Sequence, residues 1–272
     1  MTFDNSNISL KEIEELEYKY LMKYWYFLKY VEDDIVKGML SKEEIFDDWK
    51  GLYGKSKINS DSKISQFDVG SERIIYSLLN GKIAGQPNSC PVSSDLFFEV
   101  EDAFIHIDLK SVTTNEQSRN DNIGDFNTCI FVGENQNSYK GKMITNAGKP
   151  NERIINYSPN LPTFYTKTNG DKKITLTYFV CLLNNANTQN CELVSIMSFP
   201  NGKLEEHYKS RPLKAGKNPG KARFNFKEVP EFELLSGNKK RVRIVHKNPD
   251  MSEYVKKRLD FYLTNFDIVD PN

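Results

Sequence analysis

Asp108 and Lys110 place a carboxylate and an ammonium two residues apart inside an otherwise apolar run, Phe104-Ile-His-Ile-Asp-Leu-Lys-Ser-Val112. Burying charge is costly, so a charged pair in such a run needs a reason. The same Asp/Glu-x-Lys spacing starts at Glu17, Asp48, Asp61 and Asp171. Glu17 and Asp48 fall where the pattern is helical, and residues two apart on a helix point away from each other. Asp61 and Asp171 fall in polar loop or turn sequence. Of the five, Asp108 and Lys110 have strand context.

On a strand the period of two puts Ile105, Ile107 and Leu109 on one face and His106, Asp108 and Lys110 on the other. A preceding strand begins at Asp95, and the turn Glu101-Asp-Ala103 folds the chain back, so a second carboxylate can approach Asp108 at the open end of a hairpin. Glu99, on the same strand face, is the reserve for Asp95. Converging carboxylates repel unless a cation lies between them, and hard oxygen donors select Mg²⁺ or Mn²⁺. The Leu109 carbonyl could complete the protein's ligands. Lys110 could stabilise a phosphorane-like transition state or help orient or deprotonate a water. Together these are the parts of phosphodiester hydrolysis. The residue types alone equally allow a strand-end ion pair with no chemistry, which is common at protein surfaces.

The elements that must position this pair are legible from pattern. Ser9-Leu-Lys-Glu12 is a capping box, and Tyr18, Tyr20, Leu21, Tyr24, Trp25, Phe27, Leu28 and Val31 follow at helical spacing, which predicts a helix ending near Gly38. The stripe of Tyr20, Tyr24, Phe27 and Tyr30 reads as core rather than as a dimer surface. Ser41-Lys-Glu-Glu44 starts a second helix ending by Gly54, Lys55 to Lys63 reads as a loop, and Ser71 to Leu79 is a third helix stopped by Asn80-Gly81. From Asp95 the texture becomes strand-like, at 96–100, 104–112, 129–132, 142–145, 163–166, 174–183, 193–199, 222–226 and 241–246. A last helix runs from Ser252 to about Phe266. Helices followed by a sheet with few insertions imply an α/β fold with a mixed central sheet flanked by helices, not regular βαβ winding. With 272 residues the chain reads as a single domain. It has a helical N-terminal region at 1–65, a core at 66–250 and a C-terminal helix at 251–272.

Charge and cysteine usage narrow the setting. The 37 basic and 37 acidic residues cancel, which excludes a global basic field, but acids dominate the first fifty residues and bases dominate from Lys203 to Lys247. A polyanion would therefore meet a local basic surface. The four cysteines form no CxxC pair and have no histidines at zinc spacing, pointing to a reduced, cytoplasmic protein without structural zinc. No apolar run approaches the roughly 18 residues of a membrane span, so no membrane partner is expected.

The stretch from Phe104 to Val112 has the hydrophobic-Asp-x-Lys-small form of the PD-(D/E)xK nuclease superfamily. More narrowly, the chain resembles the type II restriction endonucleases of the BglI and SfiI group. Similar segments recur in the same order at Pro162–Gly170, Ser195–Tyr208, Ala215–Lys217 and Ala222–Phe226, so the likeness spans roughly Val69 to Val245. It implies a restriction-endonuclease-like core and a homodimer, or a tetramer. Its implied activity is cutting both strands of double-stranded DNA at a short interrupted, often GC-rich palindrome, leaving 5′-phosphate ends. It also implies Mg²⁺ as cofactor, with Mn²⁺ able to substitute, and a DNA methyltransferase in the same system. By the same resemblance Asp95 and Asp108 hold the metal with the Leu109 carbonyl, Lys110 is the catalytic lysine, and Glu72 matches the region of an auxiliary acid. A charge favourable to the start of a helix is the other reading of Glu72. No proline precedes Asp95, and its spacing to Asp108 is short for the group.

DNA contacts are expected between Tyr208 and Phe226, which carries Lys209, Arg211, Lys214, Lys217, Lys221 and Arg223 with no acid. Such a loop can neutralise phosphates, and an arginine projecting from a strand can read guanine in the major groove. Lys217 and Arg223 fall where the resembling enzymes read bases. At Asn225 those enzymes tend to have arginine, so the target base there is open. Arg119 is a second candidate contact. Arg241 and Arg243, alternating on a late strand, are candidate phosphate contacts. His106, His207 and His246 form no triad or ligand set and receive no role.

Overall fold

The two longest strands of the chain lie side by side at the centre of its main sheet. In the computed structural model, which describes residues 2–44, 66–79, 85–87, 94–114, 123–146, 148–185, 190–216, 221–226 and 240–267, β3 (Ala103–Thr114) runs parallel to β8 (Lys172–Asn185). Asp108 is in register with Phe179 and Lys110 with Cys181. Nearly every residue of β8 is buried, as expected of a strand covered on both faces. Around this pair the sheet is antiparallel. β2 (Leu96–Glu99) flanks β3 and carries β1 (Gln86–Pro87) on its outer side, while β9 (Cys191–Phe199) and β12 (Val242–Lys247) continue from β8. Short β7 (Phe164–Thr166) also pairs with β8. A smaller sheet has the order β10 (Leu213–Ala215), β11 (Lys221–Asn225), β4 (Cys129–Gly133), and β5 (Gly141–Thr145) with β6 (Arg153–Tyr157) makes a separate ribbon. The mixed, helix-flanked sheet is the fold class expected from the sequence.

Consecutive residues of β8 face opposite layers. Tyr178 packs against Tyr24 of α1 (Leu10–Tyr30), with ring centroids 5.7 Å apart. Phe179 packs against Phe199, which in turn meets Phe224 of the small sheet at 4.7 Å. The central sheet is thus sandwiched between α1 and the small sheet, and the last helix, Glu253–Phe266, joins the small-sheet side through Phe226, Tyr262 and Phe266.

Helix α1 begins with the expected capping box: Glu12 N donates to Ser9 Oγ at 3.3 Å and Ser9 N to Glu12 Oε2 at 2.7 Å. Its stripe of Ile13, Tyr20, Leu21, Tyr24 and Leu28 is buried, while Tyr30 is exposed. The helix stops at Tyr30 rather than near Gly38, and α2 (Glu32–Glu44) starts with three acids that suit a helix N-terminus. Ser41 lies inside α2, so the second capping signature does not start a helix. The expected end of that helix and the loop after it lie outside the described residues. Helix α3 spans Gln66–Leu79, beginning earlier than expected, which puts Glu72 in mid-helix and removes the reading of Glu72 as a helix-start charge.

All nine expected strands are present. The sequence reading missed β1, β6 and β10. β10 has three residues, and the alternation of β6 is obscured because its first four residues are exposed. The remaining helices are the single turns α4 (Ile123–Phe126) and α5 (Glu205–Tyr208), with α6 the last helix at Glu253–Phe266, whose start is capped by Ser252.

Candidate active site

Strand β2 is antiparallel to β3, with Leu96 opposite Ile107. One step further along this register sets Asp95 opposite Asp108, so their side chains share a face. Asp95 Oδ2 accepts from Leu109 N at 2.6 Å, which fixes the exposed carboxylate beside the buried one. Asp108 is 3% exposed. Its Oδ2 contacts the Lys110 ammonium and its Oδ1 accepts from Gln136 Nε2 at 2.7 Å. Lys110 is 22% exposed and sits 5.5 Å from the Phe179 ring, so the pair lies at the boundary between core and solvent.

Burial pushes the Asp108 carboxyl up from 3.8 to about 6; the charge of Asp95 adds to this, while Lys110 and Gln136 oppose it. A carboxylate destabilised by burial and by a like charge gains from a cation. Among the described residues no three His, Cys, Asp or Glu side chains converge as a metal cluster. Two carboxylates nevertheless suit Mg²⁺, which keeps several waters and typically takes only one or two protein carboxylates beside substrate phosphates. The chemistry of this donor pair therefore fits a small hard cation.

Glu99 is not the partner of Asp108. It lies opposite Phe104, at the far end of the hairpin, and bonds Lys173 and Lys167 at 2.8 and 2.9 Å. Against the burial that pushes its carboxyl up, these two lysines hold it below the usual range. Glu72 belongs to α3, whose segment packs on β3. His106 shares the Asp108 face but is sealed by Phe97 and Tyr165, and burial lowers it to about 3, so it stays neutral. Gln136 and Phe179 escaped the sequence reading. The amide follows β4 by only three residues, but no linear motif ties it to Asp108.

The basic segment divides in space. In the small sheet Lys214 is opposite Arg223, and Arg223 is opposite Phe131, so these three side chains share one face while Ala222 and Phe224 point into the core. The Arg223 guanidinium lies 4.7 Å from the Phe131 ring centroid and pairs with Asp125 Oδ2 at 3.0 Å. Alternation puts Lys221 and Asn225 on this face too. Lys209 and Arg211 sit elsewhere, on the turn after α5. Arg211 folds over Tyr208, and exposed Lys209 lends its carbonyl to Tyr139 Oη at 2.5 Å. Lys217 and Arg119 lie outside the described residues.

Arg241 and Arg243 are not phosphate contacts. Arg241 is 3% exposed and locked to Glu14 at 2.9 Å and Glu17 at 2.6 Å. Arg243 is also buried and donates to Tyr18 Oη at 2.8 Å beside Trp25. Their alternation on a strand resembled a basic surface, but the face it selected is the one covered by α1.

The mixed, helix-flanked sheet, with β3 parallel to β8 at its centre, is a restriction-endonuclease-like fold. Residues 9–188 match the N-terminal domain of the type II restriction enzyme MwoI family, and residues 191–246 match that family's central domain. The chain belongs to this family and is a type II site-specific DNA endonuclease. The division between the two matched segments falls between β8 and β9, neighbours in one sheet. The fold is shared with tetrameric restriction endonuclease SfiI bound to cognate DNA, at 14% identity and a TM-score of 0.62 over 92% of this chain and 90% of that one. It is also shared with restriction endonuclease BglI bound to its DNA recognition sequence, at 12% identity and a TM-score of 0.50 over 85% of this chain and 99% of that one. No curated protein sequence matches. Among the described residues no helix is long and apolar enough to cross a membrane.

Proposed function

We propose that the chain binds duplex DNA with the Lys214–Arg223–Phe131 face and hydrolyses phosphodiester bonds at the mouth formed by Asp95, Asp108 and Lys110. The observation that carries this reading is the apposition of Asp95 and Asp108, one exposed and one buried, with the Lys110 ammonium on the buried carboxylate. A bound Mg²⁺ or Mn²⁺ would supply Lewis-acid polarisation of the scissile phosphate and a lowered pKa for an attacking water. Asp95 and Asp108, with the Leu109 carbonyl, would hold that cation, and the Leu109 N–H keeps Asp95 in place. Lys110, between Asp108 and solvent, offsets charge that builds on the phosphoryl oxygens. Water adds to phosphorus, the P–O3′ bond breaks, and the proton lost by water is balanced by one gained at the 3′ oxygen, leaving 5′-phosphate and 3′-hydroxyl ends. Glu72 is retained as an auxiliary acid in this reading.

On the reading face Arg223, over the Phe131 ring and paired with Asp125, is the proposed guanine contact, and Lys214 and Lys221 neutralise phosphates; Lys209 and Arg211, on a separate turn, and Lys217 and Arg119 are further proposed DNA contacts. Asn225 contributes a base or sugar contact. Since SfiI and BglI form DNA complexes, and SfiI does so as a tetramer, the active species here is proposed to be a homodimer or a tetramer. The target is a short, interrupted GC-rich palindrome, matched to the assembly by symmetry. The setting is the cytoplasm, with a cognate methyltransferase protecting the same sites.

The test is digestion of a sequenced plasmid by the purified protein with Mg²⁺, Mn²⁺ or EDTA, followed by mapping of the ends. Discrete metal-dependent fragments with 5′-phosphates at one recurring palindrome are expected, and Asp108→Ala should bind that site without cutting. Intact DNA at every protein dose and metal concentration would sink the proposal.

A further inference from the structure

Gln136 lies in the single 3₁₀ turn Glu134–Gln136 that leaves β4. Its amide is held at both ends. Oε1 accepts from Gly133 N at 2.7 Å, and Nε2 donates to Asp108 Oδ1 at 2.7 Å. The backbone bond decides which end of the amide faces the carboxylate, because only the NH₂ group can donate.

The anchoring strand is the one that carries the reading face. Gly133 pairs with Lys221, and Phe131, two residues before it, pairs with Arg223. The turn beyond is pinned as well. The Gly133 carbonyl accepts from Asn137 Nδ2 at 3.1 Å and from Tyr157 Oη at 2.9 Å, and these two side chains bond each other at 2.7 Å. Gly202 holds Ser138, the residue after Asn137, by donating its N–H to Ser138 Oγ at 3.0 Å, an approach open only to glycine because a Cβ there would lie 2.2 Å from the Ser138 carbonyl oxygen. The amide of Gln136 thus links the pinned end of β4 directly to Asp108.

We propose that Gln136 is a positioning residue that orients the Asp108 carboxylate and couples engagement of DNA on the small-sheet face to the readiness of the catalytic centre. The inference rests on the reading of Asp108 as a metal-holding carboxylate. A carboxylate that must present one oxygen to a cation needs its other oxygen fixed, and loss of such a supporting bond commonly costs about 10–100-fold in metal affinity or activity. The competing account is that Gln136 only satisfies a buried oxygen. In that case its removal changes stability and leaves cutting selectivity as it was.

The experiment compares wild type with Gln136→Met, which keeps length and removes the donor, and Gln136→Glu, which keeps length and turns the donor into an acceptor. Three quantities are measured: the melting temperature, DNA affinity in EDTA and in Ca²⁺, and single-turnover cutting of the mapped site and of sites with one base pair changed. Both variants should keep wild-type affinity in EDTA and lose most of the Ca²⁺-dependent gain. Their cutting rate at the mapped site should fall roughly 10–100-fold. The rate ratio between mapped and altered sites should shrink, because the link from reading face to carboxylate is cut. Unchanged Ca²⁺ response and an unchanged rate ratio overturn the proposal, as does failure of both variants to fold, which makes Gln136 a structural residue. Wild type that does not cut at all instead refutes the nuclease reading, so the two failures are distinguishable.

Discussion

Two clusters in this molecule bury carboxylates beside a cation, and they resolve the same physical problem differently. Glu14 and Glu17 of α1 meet Arg241, all three less than 5% exposed. Each Glu17 oxygen has its own donor: Oε2 takes Arg241 Nη1, and Oε1 takes Asn201 N at 2.6 Å. Glu14 Oε1 takes Arg241 Nη2 and the Tyr208 hydroxyl. Asp108 also has a partner on each oxygen, but the cluster around it opens through Lys110 and faces a second, exposed carboxylate. Burial raises the carboxyl of Glu17, against Arg241, as it raises that of Asp108. The direction of a pKa shift therefore does not separate a structural charge from a chemical one. Both clusters set two carboxylates against one cation, and what separates them is the opening to solvent at Asp95.

The largest expected effect falls on the closed cluster. Arg241→Ala strands two buried carboxylates and should cost about 3–5 kcal/mol, visible as a large drop in the chemical-denaturation midpoint. A variant as stable as wild type would dissolve the contrast between the clusters.

At the open cluster the sign reverses. The folded state holds a proton on Asp108 between its ordinary value of 3.8 and about 6. The associated stability is therefore complete below pH 4 and is lost as pH rises through 6. Asp108→Asn, melted in EDTA, should match wild type near pH 4 and exceed it at pH 8 by up to about 3 kcal/mol. A less stable Asp108→Asn at pH 8 would show that Asp108 serves the fold. The smallest effect is expected at Glu99, 21% exposed and bonded to two lysines. Glu99→Gln should change stability by less than about 1 kcal/mol and leave cutting within twofold of wild type. Loss of cutting there would return Glu99 to the site.

Much of this was legible in the sequence because alternation is a local property. The strand from Phe104 to Val112 announced its two faces, and the turn at Glu101–Ala103 set the register that brings Asp95 to Asp108. The capping box at Ser9 was likewise local. Arg241 and Arg243 were misread because alternation says which residues share a face and not what covers that face. Gln136 was invisible for the same reason: its link to Asp108 joins the end of β4 to β3 across the fold. Ser41 carried a helix-start pattern that lost to the continuing helix of α2.

The parallel pairing of β3 with β8 has a consequence for the order of assembly. These strands can meet only after the crossover from 115 to 171, which contains β4 to β7, has closed, and long-range closures of this kind slow folding. During synthesis Asp108 and Lys110 emerge well before Phe179, the residue that floors them. A nascent or truncated chain therefore carries the charged motif without its floor, and the completed centre is a late product of folding that depends on the far half of the chain.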